Sequence, residues 1–112
     1  MGTDTEEFME ALDDLDRALD QTVDMVGQMK ERIKQLRRAT ADGRPLREIV
    51  PEEQSPLIVQ LLTESTNTLQ VYGNRVRRTE AVALHHEGMT MDQIARLFGV
   101  TRQRVSALLR DS

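Results

Sequence analysis

A chain of 112 residues, 38% apolar and only 3% aromatic, has room for one compact domain or a small domain with an extended element, and not for a large enzyme fold. Charged residues at 30% with so few aromatics suit amphipathic helices, so an all-α protein is expected, and the absence of Cys excludes disulfides, thiolate zinc sites and cysteine nucleophiles. The net charge of −4 is unevenly spread: residues 1–29 hold nine acids and one base, 30–48 seven bases and three acids, 49–73 three acids and no base, and 74–112 seven Arg and four acids.

In chain order, Thr3 and Glu6 have capping-box spacing, which predicts a helix from about residue 5 to 39. Its start is acidic, without the basic opening or apolar core of a signal peptide, so no membrane entry is expected. Apolar residues repeat every seven positions in two registers. One is Leu12, Leu19, Val26 and Ile33; the other is Phe8, Leu15, Met29 and Leu36, with Thr22 the polar member. That is a coiled-coil seam of about four heptads, for an intramolecular hairpin, a dimer or both. Met25 and Met29 read as seam filler. The same helix runs from acidic (Glu6 to Asp24) to basic (Lys30 to Arg38), which opposes the helix dipole and favours antiparallel neighbours.

Asp42-Gly43-Arg44-Pro45 predicts a stop, followed by a short turn whose Leu46, Ile49 and Val50 plug the end of a hairpin. Ser55-Pro56 reads as N-cap and first-turn proline of a second long helix, with Ile58, Leu62, Leu69, Tyr72, Val76 and Ala83 on its apolar face. Gly73-Asn74 predicts a kink or break. The domain boundary is placed there, with a helical hairpin or coiled-coil dimerisation region over 1–73 and a second module over 74–112. Its first helix is expected to reach Glu87, with Gly88 as the stop.

From Met91 onward the spacing fits two helices meeting at a tight turn. Ile94 and Phe98 point to a shared core, Ala95 is small where the helices cross, and Gly99 permits the turn. Val100, Val105 and Leu108 complete the wedge, Leu84 and Leu109 close it, and Thr90 and Thr101 supply N-caps. This is a helix-turn-helix pattern over residues 90–112, on the basic third of an acidic chain, as expected of a double-stranded DNA binder. The acidic end is expected to face elsewhere.

The stretch Gly99-Val100-Thr101-Arg102-Gln103-Arg104-Val105-Ser106 resembles the recognition helix in region 4 of primary sigma factors and of related small actinobacterial regulators. The resemblance covers about the last 35 residues. It implies that Arg102, Gln103 and Ala107 face base edges. Sigma factors usually carry Glu and Gln at the latter two positions, so a different target site is expected. The chain has no segment resembling the sigma region that melts promoters, and it is not read as a sigma factor.

With Val105, Leu108 and Leu109 inward, a recognition helix over 102–110 leaves Arg102, Gln103, Ser106, Ala107 and Arg110 for the bases. Arg suits guanine, Gln suits adenine, and Ala meets a thymine methyl. Thr90, Thr101, Arg104, Arg96, Arg77 and Arg78 are candidates for phosphate. His85 and His86 are neighbours about 100° apart on a helix and cannot share an ion, so no metal or other cofactor is expected, and their role is to oppose the C-terminal dipole. No set of catalytic side chains is brought together, so an enzyme is not expected.

The expected function is a dimeric, cytoplasmic (nucleoid-located) sequence-specific transcription regulator with recognition helices about 34 Å apart. A nucleoid-associated architectural protein and an RNA polymerase adaptor working through the acidic helix are the alternatives.

Overall fold

The structure, a computed structural model, describes residues 3–111. Among these residues there is no strand. The helices are α1 (Asp4–Ala41), α2 (Leu46–Ile49), which continues as a 3-10 turn (Val50–Glu52), α3 (Ile58–His86), α4 (Met91–Phe98) and α5 (Arg102–Arg110). The chain divides into two compact units, one of residues 18–69 and one of residues 3–17 with 70–111.

Helix α1 starts as its capping box requires: the Glu6 N–H donates to Thr3 Oγ1 at 3.0 Å and the Thr3 N–H to Glu6 Oε2 at 3.2 Å. It ends before Gly43, whose φ of 83° is the left-handed conformation that L side chains resist. Helix α3 runs through Gly73 and Asn74 without the expected break. One glycine weakens a helix by only about 1 kcal/mol, which its neighbours readily offset.

The unit of residues 18–69 is a hairpin. Ala18, Met25 and Arg32 are buried on α1, with Thr22, Met29, Leu36 and Ala39 half-buried between and beyond them. The seam therefore has spacings of four and three. It keeps the register of Met29 and Leu36 but pairs it with Ala18, Met25 and Arg32. Leu19, Val26 and Ile33, expected in the seam, are 43%, 44% and 37% exposed within the chain.

On α3 the buried positions are Leu61 and Ser65, while Leu62 and Leu69 of the expected apolar face are exposed. Two polar contacts cross the hairpin: the Ser65 hydroxyl donates to Met25 Sδ at 3.5 Å, and Arg32 Nε–H donates to the Gln54 carbonyl at 3.1 Å. The second satisfies a buried cation.

Ile49 alone of the expected plug is buried, with Leu46 and Val50 exposed. Arg44 bonds Glu52 at 2.8 Å, and that carboxylate raises the guanidinium pKa. Ser55 is not the N-cap of α3. The helix opens at Ile58, where the Glu53 carboxylate accepts the Ile58 N–H at 2.6 Å and the Gln60 side chain accepts the Leu57 N–H at 2.7 Å.

In the other unit the first turns of α1 lie with the C-terminal part of α3. Ala11 is 1% exposed, and Phe8, Leu12 and Leu15 are half-buried. Arg75 pairs with Asp14 and, at 3.7 Å, with Glu10, and His86 Nδ1 meets the Asp4 carboxylate. This corrects the expectation that the acidic end faces away from the basic third. Opposite charges on neighbouring helices attract, and charge counted along a sequence does not reveal that adjacency.

Candidate nucleic-acid interface

Helices α3, α4 and α5 are joined by the same three-residue device used twice, Gly88-Met89-Thr90 and Gly99-Val100-Thr101. In each, a left-handed glycine ends one helix, with φ of 108° at Gly88 and 68° at Gly99. The following residue's N–H reaches back five positions: Met89 donates to the Leu84 carbonyl at 3.1 Å and Val100 to the Ala95 carbonyl at 3.0 Å. These are Schellman closures. The threonine then caps the next helix. Thr90 Oγ1 accepts from the Gln93 N–H at 3.1 Å, with the Gln93 side chain returning to the Thr90 N–H at 2.8 Å. Thr101 Oγ1 accepts from the Arg104 N–H at 3.1 Å. Both turns are thereby closed by local bonds that need only glycine, an apolar residue and threonine in that order.

The three helices pack around Ala81, Ile94, Ala95, Val105 and Leu108, with Leu84, Met89, Met91, Phe98 and Leu109 packed against that cluster. Ile94 and Val105 are fully covered. Val100, expected in the wedge, is 39% exposed and stands outside the cluster. The chain reverses at Gly99, and Val100 comes to line a surface concavity instead. Ala81, fully buried on α3, was not singled out from sequence. Its signal was slight, since one alanine among Ala81-Val82-Ala83-Leu84 does not say which side meets α4 and α5.

With the inner side of α5 committed to Val105 and Leu108, the remaining positions are distributed by helical geometry. At about 100° per residue, Gln103, Ala107 and Arg110 fall opposite Val105, Ser106 lies on one flank and Arg104 on the other. Arg102, Gln103 and Arg110 are exposed, and Ser106 and Ala107 half-buried. Arg102 Nε lies 3.8 Å from Asp92 of α4, an exposed pair that holds the guanidinium beside the first turn of α5. Sequence reasoning missed Asp92, because the partnership spans a turn and follows no helical period.

Arg77 and Arg104 line one concavity of about 370 Å³, together with Glu80, Leu97, Phe98, Val100 and Leu108. Two phosphate candidates from different helices therefore meet at one place. The Arg77 guanidinium donates to Asn74 Oδ1 at 2.9 Å, which orients it along α3. Arg96 is exposed on α4 and Arg78 half-buried on α3, and neither shares that concavity. Thr90 and Thr101 have their oxygens engaged as caps, and each hydroxyl keeps its proton for donation. His85 Nδ1 lies 3.0 Å from the Met89 carbonyl, at the C-terminal end of α3.

Three short-linked helices around one core, the last presenting a polar outer side, make a helix-turn-helix module. In agreement, residues 73–112 match the homeodomain-like domain family. No curated protein and no solved structure matches the chain. No helix among the described residues is long and apolar enough to cross a membrane.

Proposed function

We propose that this protein is a sequence-specific double-stranded-DNA-binding transcription regulator that acts as a homodimer with α5 in the major groove. The observation that carries the reading is the division of α5. Val105 and Leu108 are 0% and 2% exposed, whereas Arg102, Gln103 and Arg110 are exposed toward base edges, Arg102 beside Asp92. Ser106 and Ala107 extend that surface, and Arg104 and Arg77 at their common concavity, with Thr90, Thr101, Arg96 and Arg78, are assigned to phosphates. The similarity of residues 99–106 to sigma region 4 supports the same orientation of the helix, while Gln103 and Ala107 direct it to a different site. Residues 74–112 form the DNA-binding domain and residues 1–73 the dimerisation region in this reading, in a cytoplasmic protein at the nucleoid.

The test is competition on the intact protein: a selected operator should resist excess random duplex by a factor of about 10³ or more. Near-equal affinity for every duplex would replace the reading with that of an architectural DNA coat. The adaptor reading is disfavoured by the pairing of Asp4, Glu10 and Asp14 with His86 and Arg75, which engages part of the acidic helix within the chain.

A further inference from the structure

The hairpin of residues 18–69 leaves a second apolar face on α1. Leu19, Val23, Val26 and Ile33 are 43%, 69%, 44% and 37% exposed, and Lys30 and Arg37 continue their row. At about 100° per residue the six fall within roughly 80° of the helix surface, about a quarter-turn from the buried face. Their spacing of four and three is a heptad seam that the described residues of the chain leave exposed.

We infer that this face is the dimer interface and that it pairs antiparallel with α1 of a second copy. Three observations fix the occupant and its direction. An antiparallel register centred at Gln28 sets Val23 on Ile33, with Leu19 against the aliphatic stem of Arg37 and Val26 against that of Lys30. The charge balance also shifts at that centre, with exposed Asp20 and Asp24 on one half and exposed Lys30, Lys34, Arg37 and Arg38, against the one acid Glu31, on the other. A parallel pair sets acid on acid and base on base; an antiparallel pair sets each half on its opposite. Ile33 with Lys30, Lys34 and Arg37 lines a groove of about 240 Å³, an apolar floor between cations that suits the Asp20, Val23 and Asp24 stretch of a second copy.

The inference deepens the homodimer of the proposed function and rests on that part of it, independently of DNA binding.

The chain has no Cys, so single cysteines report without background. Leu19→Cys and Arg37→Cys proteins are made separately, checked by light scattering and treated with a short thiol crosslinker, alone and mixed. The mixture is expected to give the 19-to-37 product and each variant alone none, because like positions lie roughly 27 Å apart along an antiparallel pair. In parallel, Val23→Asp, at an exposed seam position set on Ile33, is expected to weaken self-association at least tenfold without loss of helical signal. Crosslinking of each variant with itself, or a dimer that crosslinks in no combination, overturns this seam and leaves the homodimer reading standing. A protein that stays monomeric at all concentrations overturns both, while operator binding is scored separately.

Discussion

Arg102 and Arg104 are two residues apart, yet their surroundings assign them different work. Arg102 stands at the opening of α5 beside Asp92, whereas Arg104 turns toward the concavity it shares with Arg77. In the proposed complex Arg102→Ala and Gln103→Ala therefore relax specificity at single base pairs by about 1 to 3 kcal/mol each, read from binding to a panel of operator variants. Arg104→Ala weakens binding to all sequences alike and lowers the salt slope by about one. Unchanged binding in all three would sink the docking. Asp92→Asn removes the carboxylate held against Arg102 and is expected to tighten binding a few-fold at low salt, an effect that titration at high salt should erase.

At the scale of elements, the two Gly-apolar-Thr joints hold the module together. Gly99→Ala places a Cβ on a backbone with φ of 68° and is expected to cost about 1 to 2 kcal/mol by urea unfolding. Thr101→Ala removes one cap for about 1 kcal/mol. In the hairpin, neighbouring leucines separate buried from exposed apolar residues. Leu61→Ala is expected to cost about 2 to 4 kcal/mol, and Leu62→Ala less than about 0.5, because Leu61 is 1% exposed and Leu62 51%. Equal losses for the two would show that the register of α3 is wrong. The caps at Thr3, Thr90 and Thr101, the stops at Gly43, Gly88 and Gly99 and the period-seven spacing were legible in the sequence, since each depends on residues within one or two turns, whereas the cap expected at Ser55 and the break expected at Gly73-Asn74 were not found. Which of two heptad registers faces α3 was not legible, because it is decided by which surface a distant helix covers.

Across the whole molecule the charge has two destinations. Part of the positive charge of the C-terminal third is spent within the chain, on Asp14, Glu10 and Asp92, and the arginines left for phosphate are Arg77, Arg78, Arg96 and Arg104. In the proposed complex four such contacts per copy predict a salt slope near −3.6 per copy, or about −7 for the dimer on B-DNA, which affinity measured over a range of salt concentrations will check. Arg75→Ala should leave that slope unchanged and cost at most about 1 kcal/mol of stability, since its pair with Asp14 is partly exposed and open to screening.

By itself the sequence determined the all-helical class, the two Gly-apolar-Thr joints, the helix-turn-helix and the core positions Ile94, Ala95, Val105 and Leu108, because turn chemistry and helical period are local. Only the tertiary structure decided that the first turns of α1 join the C-terminal module, that Val100 faces outward, and that Leu19, Val26 and Ile33 stay exposed. Those outcomes depend on which surfaces distant segments cover, and a face that is apolar in sequence is buried only where a neighbour reaches it.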